Sequence, residues 1–117
     1  MFRVVIAGGR DFNDYKLLKT WCDYYLQNKT DITVISGCAK GADTLGEKYA
    51  EEKHYTIDKK PADWDKYGKS AGYKRNVEMA ENADGVICFW NGKSKGTKHM
   101  IDIAKEKGIP VKIVRYE

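Results

Sequence analysis

The chain has 117 residues, 42% apolar and 32% charged, with 11 glycines and 2 prolines, the make-up of one folded domain rather than a disordered, collagen-like or disulfide-scaffold chain. Residues 54–117 supply its net +4, with 13 basic against 9 acidic side chains, while residues 1–53 balance at 8 and 8, a mild bias that suits phosphate-bearing small molecules or weak nucleic-acid contact. No apolar run approaches the ~20 residues of a membrane span, the start is too short for a signal peptide, and the three cysteines form neither a CxxC pair nor a zinc pattern with His54 and His99, so a cytoplasmic protein without metal or cofactor is expected.

Residues 2–7 are apolar and partly β-branched and stop at Gly8-Gly9, which reads as a buried strand ending in a tight turn. Over residues 14–28 the period changes: Leu18, Trp21, Cys22 and Tyr25 fall at helical spacing, with Asp11, Asn13 or Asp14 available as cap. Residues 31–36 form a second strand, broken by Gly37, and residues 42–53 a helix with Leu45, Tyr49 and Ala50 inward. Residues 54–59 are a shorter, less apolar strand, expected nearer a sheet edge. The stretch from Pro61 to Gly72 reads as the longest irregular connection. A helix follows from residue 71 or 73 to 82, with Val77 and Ala80 inward, and then the most hydrophobic strand, DGVICFW. After the loop 91–95, a helix from residue 96 or 97 to 107 carries Thr97, Met100, Ile101 and Ala104 on one stripe. Gly108 is its expected cap, and residues 109–114 are the last strand. Cys22 and Cys88 read as buried small hydrophobes.

Strand and helix alternate with short links. That predicts an α/β, three-layer Rossmann-like fold: a mainly parallel sheet of about five strands with helices on both faces and right-handed crossovers, in one domain spanning residues 1–117. Rossmann-like and flavodoxin-like strand orders both remain open.

In an open parallel sheet, ligands bind beyond the carboxyl ends of the strands, near the reversal of strand order. Three loops are expected there. The first carries Gly8, Gly9, Arg10 and Asp11; the second Ser36, Gly37, Lys40, Gly41 and Asp43; the third Gly92, Ser94, Lys95, Gly96 and Thr97. Glycines let backbone N–H groups approach an anion, and helix starts expected at Ala42 and Thr97 add partial positive charge. The hydroxyls and cations of these loops suit a nucleotide or sugar phosphate. Neither GxGxxG nor GxxxxGK[ST] occurs, so this is neither a standard dinucleotide fold nor a P-loop NTPase. Asp43 reads as a helix-start cap, an acceptor for ribose hydroxyls or an acid–base group. Trp64 and Trp90 read as core packing or as stacking platforms for a base. His99 falls on an exposed-looking helix face with no role assigned.

Read together, the motifs resemble the small YspA-like proteins of bacteria and phages, within the SLOG superfamily of Rossmann-like nucleotide-ligand domains. The segments that carry the resemblance are GGRDF (8–12), SGCAKGAD (36–43), PADWDKYGKSAGYKRN (61–76) and ADGVICFWNGKSKGTKHMI (83–101), with the closing strand. The chain is also similar to the cytokinin-activating phosphoribohydrolases of that superfamily, which carry an RKxxM helix, an AD-led strand and a PGGxGTxxE loop. Arg75-Asn76-Val77-Glu78-Met79, Ala83-Asp84 and Gly92, Gly96 and Thr97 match these in turn.

The resemblance implies that Arg75, with Asn76 beside it, faces the ligand and that Gly96-Thr97 cradle phosphate. The departures are Met100 where those enzymes have a catalytic Glu, Asn91 where the subfamily often has Asp, and Cys38 where a second Gly is usual. A thioether cannot do the work of a carboxylate. The favoured expectation is therefore a module that binds a nucleotide or an ADP-ribose-like ligand, as sensor or sequestering domain. The alternative is a nucleotide N-glycosidase with Arg75 and Asp43 as candidate catalytic residues, and a nucleic-acid-binding role ranks third. Self-association is a further expectation, since this superfamily often builds its pocket at subunit interfaces.

Overall fold

Side-chain alternation along the first strand, β1 (Phe2–Gly8), assigns the two faces of the sheet. Val4 and Ile6 point into one apolar cluster, Val5 and Ala7 into the other, as the two-residue period of a strand requires. The first cluster is closed by Leu18, Cys22 and Leu26 of α1 (Tyr15–Leu26) and by Ala42, Tyr49 and Ala50 of α2 (Ala42–Lys53). The second is closed by Met79 and Ala80 of α4 (Ala71–Glu81) and by Met100, Ile101, Ile103 and Ala104 of α5 (Lys95–Glu106). With both faces covered, the central strands β2 (Ile32–Ser36) and β4 (Gly85–Trp90) are buried almost end to end, the pattern a parallel sheet needs. This computed structural model describes residues 1–116.

All five strands pair in parallel, in the order β3-β2-β1-β4-β5, with β3 at Thr56–Lys59 and β5 at Val111–Arg115. The fold is the expected three-layer Rossmann-like arrangement, and the order is the Rossmann one. After β3 the chain crosses back to the other side of β1, so the switch point lies between β1 and β4. Among the described residues, no helix is long and apolar enough to cross a membrane.

Local chemistry sets the element ends. The Asp14 carboxylate caps α1 by accepting from the Leu17 N–H at 3.0 Å. α5 starts at Lys95, earlier than its apolar stripe suggests, because Ser94 Oγ accepts from the Thr97 N–H at 3.3 Å. The connection after β3 is more ordered than expected. It holds a one-turn helix, α3 (Trp64–Tyr67), capped by Asp63, and a 3₁₀ turn at Gly68–Ser70. Four residues are too few to show a period. Val77 does not point inward: it is exposed, and the buried stripe of α4 runs through Asn76, Met79 and Ala80. A polar residue has taken the inward place because it has polar partners there.

His54 ends α2 in the left-handed conformation, φ 61° and ψ 33°, with its side chain exposed. A Cβ strains that conformation, and glycine relieves the strain. His54→Gly is therefore expected to stabilise the fold by about 1 kcal/mol in denaturant titration, with ligand affinity unchanged because the residue lies at the far end of α2.

Candidate functional site

The loop after β1 is pinned to the start of α2. The Gly9 N–H donates to Phe89 O at 3.1 Å, and Gly9 O accepts from the Phe12 and Ala42 N–H groups, both at 3.2 Å. Gly41 makes this approach possible. Its φ is +78°, and a Cβ there would run into the Gly9 carbonyl and the Arg10 backbone. Phe12 stacks on Phe89 at 4.9 Å and meets the edge of Tyr116 at 4.7 Å. The Tyr116 hydroxyl donates to Asp11 at 2.6 Å. Arg10 is left exposed at the loop's apex.

After β2 the chain brings together groups far apart in sequence. Ser36 is buried, donating to Glu47 at 2.5 Å and accepting from the Cys38 N–H at 3.1 Å. Cys38 itself sits at φ +63°, a left-handed conformation that glycine would adopt at less cost. At Gly37 an added Cβ would lie 2.7 Å from the Asp43 carboxylate and 2.8 Å from the Arg75 guanidinium. The missing side chain lets α2 and α4 present these two groups side by side. Asp43 is 5% exposed and accepts from the Ala39 N–H at 3.2 Å. Burial raises its pKa to about 6, against the pull of the Ala39 bond, Arg75 and Arg10; Glu47 raises it further.

Arg75 donates through Nη1 to Gly37 O and through Nε to Asn76 Oδ1 at 3.1 Å. Asn76 uses its amide nitrogen on Gly96 O at 3.2 Å and on His99 Nδ1 at 3.3 Å. The reversed amide would set nitrogen against Arg75 Nε and oxygen against the Gly96 carbonyl, so the orientation is determined and His99 Nδ1 is the acceptor. His99, edge-on to Tyr73 at 4.5 Å, has its pKa lowered by burial. It is thus part of the packed structure and not the free surface residue expected.

The third loop is held by Asn91, whose carbonyl oxygen accepts from the Lys93 and Ser94 N–H groups at 2.8 and 2.9 Å. Trp90 Nε1 donates to Ser94 O at 3.1 Å, and Arg115 lies over the indole at 5.4 Å. Ser94 and Thr97 hydroxyls meet at 3.0 Å. Gly96, in the first turn of α5, has nothing within 4 Å of an added Cβ. Neither a turn nor packing demands glycine there, and its effect is to leave the helix terminus open.

These three loops and α4 enclose a cavity of about 500 Å³ beside the switch point. Of the residues expected to bind ligand, Gly8, Gly9, Arg10 and Asp11 line it from the first loop and Asp43 from the second. Ser94, Gly96 and Thr97 line it from the third, and Trp64, Arg75 and Asn76 from the α3–α4 segment. Gly37 and Lys40 line an adjoining cavity of about 460 Å³. Ser36, Gly41, Trp90, Gly92 and Lys95 line neither; the first three brace the loops, and Gly92, at φ +84°, packs against Arg115. Lys69, a cation expected near the ligand-facing helix, lines the first cavity together with Gly72 and Tyr73, which sequence reading passed over. Their spacing with Asn76 is a helical i, i+3, i+4, i+7 face, a signal hidden because the first of them lies outside α4. Met100, 1% exposed, forms part of the cavity floor.

Comparison with known proteins matches residues 2–67 to the YspA, cpYpsA-related SLOG family. The Gene 61 protein of Mycobacterium phage D29 is 35% identical over 118 residues, spanning 95% of this chain and 94% of the phage protein. That span includes α4 and α5, beyond the family match. Among solved structures, the X-ray structure of TM1055 superposes with a TM-score of 0.69 at 23% identity, over 95% of this chain and 72% of the other. The C-terminal domain of PF1911 hydrogenase from Pyrococcus furiosus gives 0.50 at 17%, over 96% and 90%. Both show likeness of fold. Through the family match and the phage relative, the chain belongs to the YspA, cpYpsA-related SLOG family.

Proposed function

We propose that the protein binds a nucleotide or nucleotide-derived phosphate ligand at the carboxyl edge of its sheet, as a sensing or sequestering module. One observation carries this reading: the open first turn of α5 and the guanidinium of Arg75 face the same cavity at the switch point. A helix N-terminus offers free N–H donors and partial positive charge, and a guanidinium offers directed donors matched to phosphate. Family membership supports a ligand of the nucleotide class.

Gly96→Ala separates ligand space from folding. The added methyl meets no neighbour, and helix propensity favours alanine by up to about 1 kcal/mol. The expected result is unchanged or raised stability with about tenfold weaker AMP binding in calorimetry, a loss of ~1.4 kcal/mol. Equal AMP affinity in both proteins would count against phosphate at α5.

A second reading, hydrolysis of the base–ribose bond, is favoured by Asp43 alone. It is a buried carboxyl with a pKa of about 6, lining the cavity with Arg75, suited to proton transfer near neutral pH. Chromatography for free adenine after incubation with AMP decides between them. Binding without release is expected, because Met100 offers no carboxylate at the position the related hydrolases use.

A further inference from the structure

The sheet ends in two edge strands, β3 and β5, and they are finished differently. In a parallel ladder the N–H and C=O of one residue face the same neighbouring strand. At β3 the Lys60 N–H donates to Ser36 O at 2.7 Å, so Asp58 faces β2 with its backbone and only Ile57 and Lys59 face outward. The strand has four residues, and Asp58 lies on the face of the second apolar cluster, paired with Arg3. A short strand with an inward charge is protected against further pairing.

β5 is built otherwise. Pro110 O accepts from the Val86 N–H at 3.0 Å, and the Tyr116 N–H donates to Trp90 O at 3.1 Å. The even-numbered residues of β5 therefore face β4, and the N–H and C=O groups of Val111, Ile113 and Arg115 face away from it, at the end of the sheet. Pro110 sits on the β4 side, so its missing N–H does not blunt the free edge.

Side chains flank this edge on both faces. Val111 and Ile113 are partly buried against the second apolar cluster. On the other face Trp21 meets the exposed Tyr24 edge-on at 6.0 Å, and Lys112 Nζ lies 4.4 Å from the centre of the Trp21 ring. With Thr20 these three line a cleft of about 360 Å³. An extended segment added to β5 would bond the three open residues. Its alternate side chains would enter that cleft and cover Val111 and Ile113.

Charge selects the occupant. Residues 107–116 hold Lys107, Lys112 and Arg115 and no acid. Among the described residues, no carboxylate lies within 4.0 Å of the charged groups of Lys112 or Arg115. A second copy of β5 would bring the same cations to the edge and no acid, so charge opposes self-pairing.

We propose that the free edge of β5 is a docking surface for an extended acidic segment of a partner protein, which adds a strand to the sheet. Its acidic side chains meet Lys112 beside the Trp21–Tyr24 cleft, and its apolar ones cover Val111 and Ile113. The surface does not depend on the nucleotide reading.

The test is NMR of the full chain titrated with an octapeptide alternating valine and glutamate, against its valine–lysine counterpart. In the free protein the amide protons of Val111, Ile113 and Arg115 are expected to exchange faster than those of Lys112 and Val114, which bond β4. The glutamate peptide is expected to slow exchange at the three open residues and to bind at least about tenfold more tightly than the lysine peptide. Lys112→Glu is expected to erase that preference. Ile113→Pro removes an outward N–H and leaves the bonds to β4, and is expected to weaken the glutamate peptide at least about tenfold. Should the proline variant fail to fold, Lys112→Glu decides alone. No protection at β5, equal binding of the two peptides, or an unchanged preference in Lys112→Glu overturns the proposal. So does a dimer in sedimentation that Lys112→Glu dissociates or tightens, which makes the occupant a second copy. A single-stranded oligothymidylate that protects the three amides as well as the glutamate peptide does would also overturn it, because negative charge alone would then suffice.

Discussion

Replacing Arg75 with alanine is expected to weaken AMP binding at least about a hundredfold, the ~2.7 kcal/mol that falls within the range for deleting one partner of a desolvated charge pair. The side chain is half-buried, braced by Gly37 O and Asn76 Oδ1. Those two bonds orient it before ligand arrives, so little rotamer entropy is lost on binding. Arg75→Lys keeps the charge but cannot make both braces, because an ammonium lacks the planar fork. It should recover about a tenfold part of the loss. A second consequence is internal: Arg75 is one of the groups holding the Asp43 pKa down, so the alanine variant should show Asp43 titrating above about 6. Unchanged affinity in a variant with native circular dichroism would remove Arg75 from the site.

Asp43→Asn is expected to raise stability at pH 7 by about 3 kcal/mol and to flatten its dependence on pH. The sign follows from the raised pKa. An aspartate moved from 3.8 to about 6 on folding holds its proton more tightly in the native state than in the unfolded chain. The stabilisation from that proton is complete below about pH 4 and lost as pH rises through about 6. At pH 7 the folded protein carries a buried carboxylate whose desolvation Ala39, Arg75 and Arg10 offset only in part. Asparagine keeps an acceptor for the Ala39 N–H and carries no charge to desolvate. Denaturant midpoints at pH 4, 5, 6 and 7 test this. The wild type should lose stability across that series relative to the variant; parallel curves would mean that Asp43 titrates normally. A residue that destabilises its own fold at neutral pH is what a functional carboxylate looks like.

Tyr73, His99 and Asn76 show where sequence reading stopped. Asn76 was legible as a site residue through its place beside Arg75. Its donors and acceptor are taken up by Arg75, Gly96 and His99, so it positions the guanidinium and the start of α5 more than it meets a ligand. Nothing in the local sequence around His99 announces a partner 23 residues away in the chain. Trp90 was legible as an aromatic beside a loop, but its N–H direction, toward Ser94 O, exists only once the loop has closed on itself.

The sequence by itself determined the alternation of strand and helix, the buried character of the central strands, the edge on which the glycine-rich loops gather, and the family pattern. These follow from short-range periodicity, turn chemistry and motif order, which a linear chain carries. The tertiary structure decided the strand order β3-β2-β1-β4-β5, since crossover direction and sheet neighbours depend on packing between segments distant in the chain. It also decided that Asp43 and Arg75, 32 positions apart in sequence, meet across Gly37. The net +4 of the opening arises in the second half of the chain, yet the cations lining the cavities come from both halves, Arg10 and Lys40 from the balanced first half and Arg75 from the second, because position in the fold, which composition cannot show, separates a cavity charge from a solvated one.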